Sequence, residues 1–259
     1  MAYAELDGVR MNYELTGAAG LPVLVLSHSL GTNLTMWQPQ IDALSADFRL
    51  LCYDTRGHGK SSISPGPYTV ADLGHDLLQL LDLLEIVQVS FCGISMGGVI
   101  GQWLGVHAPN RLDRLILANT AAKIGTAEGW NARIATVWQE GVRPTISGTL
   151  ERWFTAGFRA SQPQTVAAIG AMLQSTDPQG YAANCAAIRD ADFRATIQAI
   201  HASTLVIAGS RDVGTTPADG RFLAEQIAGS QYVELPVAHL SSVEAADEFN
   251  AALLTFLGH

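Results

Sequence analysis

Short apolar runs and longer amphipathic runs alternate along this chain. Pro22–Ser27 (PVLVLS) and Arg49–Tyr53 (RLLCY) are nearly continuous apolar runs, the pattern of parallel strands buried on both faces. Gln88–Cys92, Leu112–Ala118, Thr204–Ala208 and Tyr232–Leu235 read as further strands. Tyr3–Leu6 and Val9–Leu15 alternate around Asp7-Gly8, which predicts a β-hairpin at the N-terminus. Between the strands, Met36–Leu44, Met96–His107, Pro217–Ile227 and Val243–Leu257 read as helices. Val70–Leu84 is a stronger helix, with Leu73, Leu77, Leu80, Leu81 and Leu84 at helical spacing. Strands and helices in alternation, joined by right-handed crossovers, predict an α/β protein with a doubly wound, mostly parallel sheet of eight strands.

From about Ala122 to Arg194 the rhythm breaks. No strand pattern occurs there; the segment is helical and holds Trp130, Trp138 and Trp153, three of the five tryptophans. It carries seven Lys/Arg against six Asp/Glu, whereas the rest of the chain carries eight against eighteen. We read residues 122–194 as a helical cap inserted over a core made of 1–121 and 195–259. Helices packed on one flank of the sheet are the alternative.

Composition narrows the partners. A chain of 259 residues with 48% hydrophobic and 15% charged residues can bury a large core. Its net charge of −9 comes without a basic run, which argues against nucleic acid and anionic membrane as partners. The N-terminal residues lack the pattern of a signal peptide, and no apolar stretch approaches the roughly 20 residues of a membrane span. Three widely spaced cysteines (Cys52, Cys92, Cys185) fit buried thiols in a reducing compartment. A cytoplasmic location is the expectation.

The chemistry concentrates in Gly93-Ile94-Ser95-Met96-Gly97, a G-x-S-x-G elbow between a strand and a helix. The turn would lift the Ser95 hydroxyl above the sheet, beside a helix N-terminus that favours negative charge. A nucleophilic serine needs a base, and the base an orienting carboxylate, in the chain order Ser, Asp or Glu, His. Of seven histidines only His201, His239 and His259 follow the helical segment. His201 precedes a strand, at the wrong end of the sheet, and His259 is the terminal residue. His239 follows Tyr232–Leu235 by a short loop at the carboxyl edge, where ligands bind in open α/β sheets. Asp212 lies just past Thr204–Ala208, 27 residues before His239 and at the end of the adjacent strand. The oxyanion donors would be the N–H of Met96 and one from Ser27–Gly31, for which Leu30 is the choice. His28 and His58 read as having local loop roles. No cluster of residues has metal spacing, and serine chemistry requires neither metal nor cofactor.

With elbow, triad and helical segment in place, the chain resembles the α/β-hydrolase superfamily over nearly its whole length. The stretch Tyr53–Ser61, with its Asp-x-Arg-Gly-x-Gly-x-Ser pattern, is a further mark of that superfamily. More narrowly it is similar to the 3-oxoadipate enol-lactonases. The residues that carry this likeness are Ser27–Gly31, Phe91–Gly98, Asn119–Ala127 with Trp130, Trp153–Thr155 and Gly180–Cys185. The first loop departs from the pattern, with Ser-His-Ser in place of Ser-Asn-Ser. The resemblance implies a small anionic lactone bearing an acetate arm. Lys123 and Arg133 are then candidates for the arm's carboxylate, with Arg133 favoured for its two parallel donors. Trp130 and Trp153 either wall the ring or pack within the helical segment. The same triad would also serve a general carboxylesterase or a cofactor-free haloperoxidase or perhydrolase, and a binding protein on a retired hydrolase scaffold is a third reading.

Overall fold

The computed structural model describes residues 2–258; Met1 and His259, one of the histidines weighed above, lie outside the described residues. Eight strands form one sheet: β1 (Ala2–Leu6), β2 (Val9–Thr16), β3 (Val23–Ser27), β4 (Arg49–Tyr53), β5 (Val89–Ile94), β6 (Leu112–Ala118), β7 (Ser203–Gly209) and β8 (Gln231–Leu235). Their spatial order is β1-β2-β4-β3-β5-β6-β7-β8. The β1–β2 and β2–β4 pairs are antiparallel, and every pair from β4 to β8 is parallel. The expected mostly parallel, doubly wound sheet is therefore present.

The core divides by sheet face. Along β3, Leu24 and Leu26 face one apolar cluster while Val25 faces the other, the period-two consequence of a pleated strand. The first cluster receives α1 (Gln38–Leu44) and α11 (Ala246–Leu257) through Ile41, Leu44, Phe249 and Leu253. The second receives α2 (Val70–Leu83), α3 (Met96–His107) and α9 (Pro217–Gln226) through Leu73, Leu77, Ile100 and Leu223. All six residues of β5 are buried, which explains a run with no polar alternation. The α2 helix begins at a full capping box: the Thr69 hydroxyl accepts from Asp72 N, and the Asp72 carboxylate accepts from Thr69 N. Cys52, Cys92 and Cys185 are free and buried, and burial pushes their thiols up, away from reactivity.

Two helices differ from the sequence reading. The expected Met36–Leu44 helix opens with a tighter turn at Leu34–Trp37, because the Asn33 side chain accepts from Thr35 N and Pro39 can start but not continue a helix. The expected Val243–Leu257 helix is two pieces, α10 (Ser241–Glu244) and α11, separated at Ala245, whose φ of −131° leaves the helical region. Ser241 and Glu244 turn their side chains to neighbouring loops instead.

Between β6 and β7 the chain forms α4 (Ala127–Glu140), α5 (Ile146–Trp153), α6 (Ala156–Ser161), α7 (Pro163–Ser175) and α8 (Pro178–Asp190), with no strand among them. Leu173, Tyr181 and Cys185 of this helical segment join the first core cluster, and Ala183 and Ala187 join the second. Among the described residues, no helix is long and apolar enough to cross a membrane.

Candidate active site

Parallel register brings five strand ends to one edge. Ser27 pairs with Gly93, Ile94 with Ala118, Ala118 with Ile207 and Gly209 with Leu235. The residues just beyond these ends are Leu30, Ser95, Asn119, Asp212 and His239. Ser95 follows β5 with φ 57° and ψ −113°, in the positive region that a side chain rarely adopts. Its own N–H is held by Ala118 O at 2.9 Å, and its carbonyl accepts from the Thr120 hydroxyl at 2.9 Å. The elbow glycines are needed for close approach: a Cβ on Gly97 would collide with Ser27 O, and one on Gly93 with Gly97 O. Sequence and strain thus agree on a serine held above the sheet at the start of α3.

The histidine and the carboxylate meet as the sequence reading expects. His239 Nδ1 lies 2.7 Å from Asp212 Oδ2, and both residues are buried. Asp212 is saturated with donors. Its Oδ1 accepts from Gly214 N (2.8 Å) and Thr215 N (3.0 Å), and its Oδ2 from the Thr215 hydroxyl (2.7 Å) and Asn119 Nδ2 (3.1 Å). Burial alone would push this carboxyl up, but the His239 charge and the bonds from His239 and Thr215 outweigh it and hold it at about 2. Asp212 is therefore held as a carboxylate acceptor that fixes the direction of the His239 ring.

Ser95 and His239 open into one cavity of about 280 Å³, which Leu30 also lines. The Leu30 N–H has no protein acceptor among the described residues, and Met96 N belongs to the first turn of α3, whose N–H groups lack helical acceptors. The loop carrying Leu30 is pinned from below. Gly31 N donates to His58 Nε2 at 2.8 Å, Thr55 N to His28 Nε2 at 3.0 Å, and Leu34 N to Asp54 Oδ1 at 2.8 Å. The glycine-rich Tyr53–Ser61 stretch is thus a buttress for the loop that carries Leu30; its Arg56 forms a part-buried ion pair with Asp76 of α2.

The far wall belongs to the helical segment. Arg133 and Trp130 of α4, Arg152 and Trp153 of α5, and Tyr181 of α8 all line the cavity. The Arg133 guanidinium lies over the Trp130 ring, 5.4 Å from its centroid, and reaches the Tyr181 hydroxyl at 3.4 Å. Trp153 stacks on the His239 ring at 6.1 Å and 24°. Neither Arg133 nor Arg152 pairs with a carboxylate among the described residues. Burial and the Arg133 charge together lower Arg152, the expected response of two cations sharing one wall. Lys123 does not line the cavity. Its Nζ donates to Arg189 O and Ala191 O at 2.6 and 3.1 Å, so the ammonium closes the end of α8.

A family model described as alpha/beta hydrolase fold matches residues 22–246. The chain belongs to the α/β-hydrolase family. Among α/β hydrolases it groups with the 3-oxoadipate enol-lactonases. It is 47% identical to 3-oxoadipate enol-lactonase 2 of Acinetobacter baylyi, over 95% of this chain and 92% of that one. It is 40% identical to 3-oxoadipate enol-lactonase 1 of the same organism, over 94% and 91%. The crystal structure of the enol-lactonase from Burkholderia xenovorans LB400 superposes over 100% of both chains with a TM-score of 0.98 at 44% identity. As a member of this family the protein is a hydrolase.

Several residues of this α/β hydrolase's site escaped the sequence reading. Arg152 adjoins Trp153, yet nothing in its spacing sets it apart from a surface arginine. Thr215 stands in an ordinary Thr-Thr-Pro helix start, and only the fold reveals its hydroxyl on Asp212. Asn119 was legible only as part of a family-like stretch. In the fold its φ is 41°, its Nδ2 donates to both Asp212 Oδ2 and Ala238 O, and its Oδ1 accepts from the Ser241 hydroxyl at 2.5 Å.

Proposed function

We propose that this hydrolase opens a 3-oxoadipate enol-lactone to 3-oxoadipate through an acyl-enzyme on Ser95. The observation that carries the reading is the cavity joining Ser95 and His239 to an Arg133 guanidinium that has no carboxylate partner among the described residues. The names of the 47% and 40% identical relatives support the same substrate. The helical segment acts as a cap that reads the acetate arm, which Arg133 and Arg152 receive as a carboxylate between two guanidiniums. Trp130 and Trp153 flank the ring.

His239 takes the Ser95 proton as Oγ attacks the lactone carbonyl, and Asp212 stabilises the imidazolium. The N–H groups of Leu30 and Met96 hold the oxyanion. Collapse of the tetrahedral intermediate breaks the ring C–O bond and releases an enolate oxygen, which His239 protonates and which then ketonises. A water molecule, deprotonated by His239, attacks the acyl carbonyl and frees Ser95. An enolate leaves more readily than a simple alkoxide, so opening such a lactone asks less activation of the site than an ordinary ester.

The test follows lactone consumption by its ultraviolet absorbance, beside p-nitrophenyl acetate. The lactone is expected to turn over far faster than the ester. Ser95→Ala should fold and bind ligand but lose ~10³-fold or more in kcat. Residual activity above a few per cent would remove Ser95 from the role, and equal rates on the two substrates would remove the lactone.

A further inference from the structure

The loop that carries His239 is fastened to the helical segment on both sides of the histidine. On one side, Ala238 N donates to Glu244 Oε2 at 3.0 Å. The same carboxylate receives Thr155 N on Oε1 at 3.1 Å and also the Thr155 hydroxyl. On the other side, Leu240 N donates to Trp153 O at 3.1 Å. The ring between these tethers stacks on Trp153. Glu244 pairs with no lysine, arginine or histidine among the described residues, so its charge is spent on these donors alone. It ends the four-residue α10, where the break at Ala245 turns the chain into α11.

We propose that Glu244 is a positioning residue for catalysis. By accepting from Thr155 and Ala238 at once, it fixes His239 relative to the Trp153–Thr155 stretch of the cavity wall. Charge-assisted bonds of this kind are about twice as strong as neutral ones and are directional at both ends. A base displaced by ~1 Å from its working geometry loses on the order of 10²-fold in rate. Glu244 therefore makes the placement of the base depend on the placement of the substrate-facing helices. This inference rests on the serine–histidine chemistry proposed above and not on which ester is opened. A purely structural role is the alternative, since Thr155 also caps α6 by accepting from Phe158 N at 3.2 Å.

The experiment compares full-length Glu244→Ala, Glu244→Gln and Thr155→Val with the parent. Four quantities are read: kcat and KM on p-nitrophenyl acetate, kcat and KM on the lactone, the rate of inactivation by a fluorophosphonate, and the thermal midpoint. Glu244→Ala should lower kcat on every substrate turned over, and the fluorophosphonate rate, by ~10-fold or more, with KM held within about twofold. Glu244→Gln should fall between, because its amide keeps one acceptor but turns a donor toward the other N–H. Thr155→Val, which removes only the hydroxyl, should lose less in the same direction. A lower thermal midpoint with parental kcat and fluorophosphonate rates, or a rise in KM alone, would overturn the proposal. Should Glu244→Ala fail to fold, parental rates in both Glu244→Gln and Thr155→Val would overturn it. Because the fluorophosphonate needs no lactone, failure of the substrate assignment would show as a parent enzyme inert to lactone yet labelled normally.

Discussion

Two guanidiniums facing one cavity in a chain of net charge −9 make a local positive wall that would attract an anion. Arg133 is held over Trp130 and beside the Tyr181 hydroxyl, so its direction is set before any ligand arrives. Among the described residues, Arg152 donates to the Thr149 hydroxyl at 3.3 Å and lies over no aromatic ring, so it is the freer of the two. Arg133→Ala should therefore raise KM for the lactone ~30-fold or more, since a charge-assisted bidentate pair is worth about 2–3 kcal/mol. Arg152→Ala should raise it less, and neither change should alter kcat/KM for uncharged p-nitrophenyl acetate beyond about twofold. Steady-state kinetics on the two substrates decides it: equal losses on both would mean that the arginines shape the cavity instead of reading a carboxylate. Arg133→Lys belongs in the same series, because a point charge cannot reproduce the fork.

At the scale of elements, the site is a consequence of parallel register, and that is why the convergence of Ser95, Asp212 and His239 could be expected from the chain. Strand runs without polar alternation, an elbow between strand and helix, and chain order place Ser95, Asp212 and His239 at one sheet edge without knowledge of any side-chain contact. The supporting residues obey no such rule. Asn119, Thr215 and Glu244 act through contacts made only when separate loops converge, and Lys123 near the same place in the chain points elsewhere. Asn119 illustrates what convergence adds: one amide joins the ends of β6, β7 and β8 through Asp212, Ala238 and Ser241. Asn119→Ala would leave the Ser241 hydroxyl and the Ala238 carbonyl without that partner. Urea unfolding should then show a loss of about 1–3 kcal/mol. The kcat should fall ~10-fold or more as the loops carrying Asp212 and His239 loosen. Unchanged kcat beside the stability loss would make Asn119 a packing residue only.

For the molecule as a whole, the buttress under the Leu30 loop sets an acid limit on the fold. His28 donates from Nδ1 to Ser29 O at 2.8 Å and accepts Thr55 N on Nε2, while His58 accepts Gly31 N on Nε2. Each ring must therefore be neutral, since a protonated Nε2 would face a backbone donor. Burial lowers His28, against the partial opposition of Asp54 and Ser29 O; burial and the neighbouring His28 lower His58 well below the ordinary value. Both groups thus bind protons more readily in the unfolded chain, whose histidines titrate near pH 6.5. Their contribution to stability is complete above about pH 6.5 and is lost progressively as the pH falls below it, by up to about 1.4 kcal/mol per pH unit for each ring. Asp212, held at about 2, adds to this loss only below the ordinary carboxylate range near pH 4. Acid destabilisation between about pH 6.5 and 5 is then expected from the buttress histidines and not from Asp212. His58→Gln supplies an acceptor for Gly31 N that does not titrate. It should flatten the pH dependence of the urea midpoint in that window by about one proton, whatever it does to stability at neutral pH. The same slope in parent and variant would mean that His58 is not one of the groups that take up a proton on unfolding.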